Sequence, residues 1–419
     1  MEDERSVLVG IDLANDYSQI CYYSAGGSYV SVSLSKDPLK YRIPTMLCAV
    51  AGASDWLFGE EAAMTSPSET VVRIENIVEL ASNDASLEVF GRNYPADILL
   101  ERYFRRMLAA VLQKAGAERV RGVVLTMKEC NEALRKNIYA AFTLLGLPAD
   151  RVRLIRHTES FMYYVVEQNC DIWINDVGLF DFDADGFVFY RLSFGRKTKP
   201  LTVITDKTDL SDIISFDMLV SGEMDRLIYA FENTAAMMLQ KQMISALYFT
   251  GCGFESAWAD ESLKKFCSGR RIFRGQNLYV KGAGYAAKLA FDGGNGEYRF
   301  IDHGELSSDI MLRVYKDGGY DEVKLAGCGQ PHEEASSRVE VIMDRTNELD
   351  FIVHNALKKD FICAIMTLET LALKPERTTR LEVRLKFPKR DVCVITVRDL
   401  GFGEIRATGY QIWEQVLKI

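Results

Sequence analysis

The phrase Val177–Tyr190, VGLFDFDADGFVFY, constrains this chain more than any other stretch. It reads as strand, tight turn, strand, with Asp181 near the end of the first strand and Asp183-Ala184-Asp185-Gly186 in the turn. A strand that ends in aspartate and runs into small residues turns bare backbone N–H groups toward an anion. Here the turn carries two further carboxylates, which repel a polyphosphate and narrow the room for it. The frame is that of a phosphate loop, and the residues in it oppose phosphate.

The segments before it read as strand–helix alternation. SVLVGIDLAND, SQICYYSAGG and SYVSVSLS are paired strands with Gly26-Gly27 as a turn. Apolar residues at helical spacing predict a helix over 98–116 that closes at Gly116. RVRGVVLTM is a buried strand, Asn131 to Leu145 an amphipathic helix, RVRLIRHT a strand and ESFMYYVVEQ a helix, which is a βαβα order. A second copy of the theme starts near Asp171, with the strands VGLFDF, GFVFYRLSF and PLTVITD. A mainly helical stretch follows, then the strand SALYFTGCG, the helix ADESLKKFCSG, and NLYVKGAGYAAKLAF as a Gly-rich turn opening a helix. Their shared order suggests an old duplication.

Asp292 to Gly296 (DGGNG) is the expected linker. Beyond it the pattern has period 2, in DIMLRVY, SRVEVIMD, LDFIVHN, DFICAIMTLETLAL, TRLEVRLKF, VCVITVRDL and YQIWEQVLKI, as in a compact β-sandwich. The aromatic clusters Tyr22-Tyr23, Phe161 to Tyr164 and Phe187 to Tyr190 read as core, and KFPKR (Lys386 to Arg390) as a solvated hairpin turn.

The totals exclude several classes. A net charge of −9 argues against a nucleic-acid or anionic-membrane surface. No apolar run reaches bilayer length, and the first residues lack the shape of a signal peptide. The nine scattered cysteines form no CxxC pair and read as reduced residues of a cytoplasmic protein. The four histidines lack metal-ligand spacing.

Taken in order, these pieces resemble the actin-like ATPase superfamily, and most closely heat-shock chaperones of the DnaK type. The family's first phosphate loop, GIDLGTTNS, is similar to Gly10-Ile11-Asp12-Leu13-Ala14-Asn15-Asp16. Its "TTPSYVAF" and "LIGDAA" phrases are echoed by Ile43-Pro44-Thr45 and Phe58-Gly59-Glu60-Glu61-Ala62. The strand and helix VVLTMKECNEALRKNIYAAFTLLGL and the connecting helix RHTESFMYY follow in family order. The second loop, DLGGGTFD, aligns with Asp181 to Val188, the adenosine strand with Thr250-Gly251-Cys252-Gly253, and the second connecting helix with Gly282 to Ala287. RLEVRLKFPKRDVCVITVRDLGFGE resembles the core hairpin of the chaperones' substrate domain.

The resemblance implies an α/β fold of two ribonuclease-H-like halves, a two-lobed actin-like body, followed by a C-terminal β-sandwich like the chaperone substrate-binding domain. The expected domains are lobe I over 1–168, a shortened lobe II over 169–292 and the sandwich over 293–419. The resemblance also implies a nucleotide site whose remnant is Asp12, Ala14, Asn15, Asp16, Asp181, Asp183, Asp185, Gly186, Gly251, Gly253 and Gly282. Asp12 and Asp181 match the aspartates that hold magnesium through water; each also suits bonding to the N–H groups of its own turn. The loop threonines become Asn15 and Asp16, and the second loop's threonine becomes Gly186. No lysine occurs between Lys40 and Lys114, where the catalytic one belongs, and Arg73 is the nearby cation. His157 replaces the connecting-helix glutamate, with Glu159 two residues on. About 60 residues separate Phe187 from Tyr248, too few for the family's adenine wall.

Phosphoryl transfer needs positive charge at the γ-phosphate. The expectation is therefore a pseudo-ATPase, a scaffold that binds a peptide or partner protein through its sandwich, without nucleic acid, membrane or a working cofactor. A divergent ATPase that holds Mg and ATP weakly, with Asp12, Asp181, Arg73 and Glu159 as its active residues, is one alternative. An actin-like assembly protein is the other. The chain ends at Ile419, without the chaperones' helical lid, so substrate trapping is not expected.

Overall fold

The computed structural model describes residues 5–23, 29–35, 37–293, 298–344, 346–358, 360–371, 377–405 and 407–419. The expected Gly26-Gly27 turn and residues 294–296 of the expected linker lie outside these. The chain is mixed α/β and divides into two compact units, Met1–Phe189 with Asp209–Asn295, and Tyr190–Thr208 with Gly296–Ile419. This differs from a division at 168/169 and 292/293. The segment Tyr190–Thr208 goes with the C-terminal residues because Leu201–Ile204 pair in parallel with Tyr298–Ile301, and Arg390 donates to the Thr205 carbonyl, 2.6 Å. Among the described residues no helix is long and apolar enough to cross a membrane.

In the first unit, Ser6–Asp12 is the middle of a sheet ordered Val152–Arg156, Arg119–Met127, Ser6–Asp12, Tyr17–Tyr23, Tyr29–Ser31. It runs parallel to Arg119–Met127, with Asp12 opposite Thr126, and antiparallel to Tyr17–Tyr23. Asp176–Asp183 repeats this arrangement. It runs parallel to Ile244–Thr250, with Asp181 opposite Thr250, and Ile244–Thr250 runs parallel to Arg271–Arg274. Each half then enters a helix, His157–Val166 after the first set and Leu278–Asp292 after the second.

The helices follow from apolar spacing and local caps. Ala96–Ala115 buries Leu99, Leu100, Tyr103, Phe104, Met107, Leu108 and Val111 on one stripe, and ends where Gly116 takes φ 62°. Glu132–Leu144 is capped by Asn131, whose side chain accepts from the Leu134 N–H at 2.8 Å. The second half is built on aromatics. Phe180, Phe182, Phe187, Phe231, Phe249 and Phe254 are fully buried in one cluster with Leu227 of the helix Met224–Leu239. Period 2 in Asp176–Asp183 sends Phe180 and Phe182 to this face and Asp181 and Asp183 to the other.

Leu278–Asp292 departs from the sequence reading, because Gly282 and Gly284 lie inside the helix rather than in a turn that opens it. A Cβ at Gly282 would stand 1.9 Å from the Ser160 carbonyl oxygen, so glycine lets this helix cross His157–Val166 at backbone contact.

The second unit contains two four-stranded antiparallel sheets. One runs Gly319–Ala326, Ser308–Lys316, Glu348–Asn355, Phe361–Thr367; the other runs Ser336–Met343, Thr379–Lys389, Val392–Asp399, Ile412–Lys418. Inward residues of both, among them Ile310, Leu312, Phe351, Leu381, Val383, Ile395 and Val397, form one buried cluster. Gly319–Ala326 was not legible as a strand. KFPKR is not simply a solvated turn, since the Arg390 side chain is only 16% exposed and also reaches Asp206 at 3.4 Å.

Candidate functional site

Asp12 ends the first of the repeated strands and Asp181 stands two residues before the end of the second, and the residue that meets each one comes from the first turn of that half's own helix. His157, the first residue of His157–Val166, places Nε2 2.8 Å from Asp12 Oδ1. Tyr279, the second residue of Leu278–Asp292, donates its hydroxyl to Asp181 Oδ2 at 2.6 Å. The two rings then stack on each other, centroids 4.0 Å apart and 11° from parallel. Ser160 Oγ donates to the Tyr279 carbonyl at 2.5 Å, which ties the two helix starts together. The result is a continuous bridge, Asp12–His157–Tyr279–Asp181.

The turns beyond the aspartates are satisfied by protein groups. In the first, the Ala14 carbonyl accepts from Thr45 Oγ1 at 2.7 Å and the Asp16 carbonyl from the Thr45 N–H at 2.9 Å. Asn15 donates to Asn76 Oδ1, 3.0 Å, and accepts from the Glu79 N–H, 3.2 Å. In the second, Asp183 Oδ1 accepts from the Cys252 N–H at 2.7 Å, and Asp185 accepts from Lys128 Nζ at 2.6 Å. Gly186 takes φ 149°, and the next N–H donates to Ser211 Oγ at 3.0 Å.

Electrostatics follow from this acid excess. Burial, then the neighbouring Asp183, push the Asp181 carboxyl up to about 6, against the opposing pull of Tyr279, His157 and Lys128. Among the described residues, buried Asp181 Oδ1 has no hydrogen-bond partner. Burial disfavours the charged form of His157, but the Asp12 carboxylate outweighs it and raises the imidazole above its ordinary value. Lys128 is raised likewise: burial opposes the charge, and Asp185, Asp181 and Asp183 outweigh it.

The other sequence candidates lie apart from the bridge. Arg73 pairs with Glu75 at 2.7 Å, and Glu159 with Arg153 at 2.6 Å. Gly251 and Gly253 accommodate Phe182, since a Cβ on either would come 2.2 Å from its carbonyl or its ring. Gly282 serves the helix crossing. Two residues of the site escaped sequence reasoning. Lys128 directly follows the strand next to Asp12, at the carboxyl ends where sites gather. Tyr279 holds the place in the second helix that His157 holds in the first. A cavity of about 310 Å³ lies elsewhere in this unit, lined by Leu34, Ile43, Phe58, Arg106 and Ala109, and contains neither aspartate. Among the described residues no cluster of three or more His, Cys, Asp or Glu is arranged to hold a metal ion.

Residues 28–303 match the C-terminal region of a protein family of unknown function (DUF5716). Residues 305–419 match a domain of unknown function (DUF8552). No curated protein matches the chain.

Proposed function

The chain belongs to the first of these families, and from its geometry we propose that it is a non-hydrolysing interaction scaffold of actin-like, chaperone-related architecture. Its C-terminal sheets then form a β-sandwich that binds a peptide or partner protein. Support for the architecture comes from the repeated half, in which Asp12 opposite Thr126 and Asp181 opposite Thr250 occupy equivalent positions. Support for the sandwich comes from two antiparallel sheets sharing one buried cluster.

The observation that carries the non-hydrolysing half is the bridge. Asp12 and Asp181, the residues matched to magnesium ligands, are bonded to His157 and Tyr279, whose stacked rings lie between them. The side chains present do not fit a magnesium–triphosphate group. Admitting one would break both bonds and the stack, and would bring the phosphates against Asp183 and Asp185. Hydrogen bonds to charged groups contribute about 1.5–3 kcal/mol each, so opening the bridge has a real cost.

A divergent ATPase is the second reading, and Lys128 favours it as a cation at the acidic turn. One assay separates the two. The scaffold reading expects no thermal stabilisation by Mg-ATP, because a ligand raises stability only by binding the native state. A shift that Asp12→Asn abolishes would overturn the scaffold reading, and release of phosphate from ATP would then establish the ATPase.

A further inference from the structure

The hairpin that carries KFPKR builds an unusual corner on the outward face of the sheet Ser336–Met343, Thr379–Lys389, Val392–Asp399, Ile412–Lys418. The register shifts between Lys386 and Lys389, so that Lys386 lies opposite Val394 and Lys389 opposite Val392. Val394 in turn pairs with Val416, and Val392 with Lys418. Residues directly opposite share a face, so the bulge puts both hairpin lysines on the outward side. Two adjacent rows result, Lys386–Val394–Val416 and Lys389–Val392–Lys418.

The three lysines are exposed and form no ion pair among the described residues, and Val416 is 63% exposed. Elsewhere on this face Arg338 and Arg384 both bind the buried carboxylate of Glu382, and Arg398 lies exposed. The corner is also anchored. Arg390 donates to the Thr205 carbonyl, and Asp206 receives both Arg390 and Arg191. This brings the backbone of exposed Lys207 alongside. Asp391 in the turn and Glu414, exposed on the same face two residues before Val416, are acids that partly offset the group.

We infer that this corner docks an acidic, aliphatic-bearing extended segment of another protein. Charge complementarity selects the class of partner, since unpaired ammonium groups are gathered on a chain whose net charge is −9. The valines select a protein over the other polyanions. Single-stranded nucleic acid gains most from aromatic stacking, and the two rows contain no aromatic ring. Anionic membranes reward a larger apolar insertion than three valines supply. Ile412–Lys418 is also the terminal strand of its sheet among the described residues. A segment added there in extended form would alternate an aliphatic residue beside Val416 with an acidic one beside Lys418.

The inference rests on the interaction half of the proposed function and names the partner class for it. The test is fluorescence anisotropy on the full chain. The probes are a labelled peptide of the repeat Glu-Thr-Val-Thr, which places Glu and Val in turn on one face of an extended strand, its counterpart with Lys in place of Glu, a thymidine oligonucleotide and phosphatidylserine vesicles. The Glu/Val peptide is expected to bind, to weaken with added salt, and to lose at least about tenfold in affinity in the triple variant K386E/K389E/K418E. Lys316→Glu, an exposed lysine of the other sheet, is expected to leave it unchanged. Absence of Glu/Val binding, indifference to the triple variant, or preference for the oligonucleotide or the vesicles would overturn the inference. The Mg-ATP thermal shift reads the scaffold proposal separately, so either can fail alone.

Discussion

Replacing Asp181 by asparagine is expected to stabilise the first unit at neutral pH and to do little in acid. The carboxyl is held at about 6 in the folded chain against 3.8 ordinarily, first by burial and then by Asp183. A rise of that size favours the protonated form by about 3 kcal/mol. The folded state therefore binds a proton that the unfolded state has already released, and stability contributed below the ordinary value is lost as pH climbs from about 4 through about 6. Asparagine is isosteric, still offers an oxygen to the Tyr279 hydroxyl and cannot ionise. With allowance for relaxation around the charge, the gain at pH 8 should be about 1–3 kcal/mol, shrinking toward zero near pH 4. His157 titrates in the same sense, because a raised imidazole contributes stability below its ordinary value and loses it as pH rises through the raised one; its main partner, Asp12, is untouched by the substitution. Hydrogen exchange at the amides of Asp176–Asp183 and His157–Val166 reads opening of this unit specifically. If Asp181→Asn were neutral or destabilising at pH 8, the ionised carboxylate would be contributing to stability, and the argument from buried acid excess would be wrong.

Tyr279→Phe should be the mirror case. It keeps the stacked ring and strands an ionised carboxylate, for a loss of about 1.5–3 kcal/mol at pH 8 that falls below pH 6; exchange rates at both pH values check it. Gly282→Ala should lower stability by several kcal/mol, on the order of 3, because its methyl would meet the Ser160 carbonyl at 1.9 Å and backbone cannot yield as a side chain does. A thermal scan of the full chain tests the second.

Much of the fold was legible where one physical rule acts alone. The stripe from Leu99 to Val111 with Gly116 beyond it specifies a capped helix, and alternation in Thr379–Lys389 specifies a half-buried strand. Gly319–Ala326 escaped because it is an edge strand with mostly exposed residues on both sides, so burial imposes no period on it. The glycines of Leu278–Asp292 misled because local propensity reads Gly as a turn. The crossing with His157–Val166, which selects glycine there, is a contact made only in three dimensions. The site was half legible. Asp12 and Asp181 announce themselves at or near strand ends, whereas His157, Tyr279 and Lys128 acquire their roles from the halves being brought together.

The repeat also explains why the two aspartates are not alike in chemistry. Asp12 meets an imidazole, which can take a proton and carry the matching charge. Asp181 meets a phenol, which can donate a hydrogen bond but brings no charge, so that half keeps an uncompensated acid. Of the cations that act on it, His157 is bonded to Asp12 and Lys128 to Asp185 rather than to Asp181. The remaining oxygen, Asp181 Oδ1, has no donor among the described residues. A pocket evolved for polyphosphate would have to reverse this balance, with donors and cations facing the gap and carboxylates reserved for a metal. Here the donors face inward to the protein's own carboxylates, and protonation of Asp181 relieves the acid excess only as pH falls toward about 6 and below. The equivalent positions of the two halves are joined through the stacked rings of His157 and Tyr279, so the bridge fastens one half to the other.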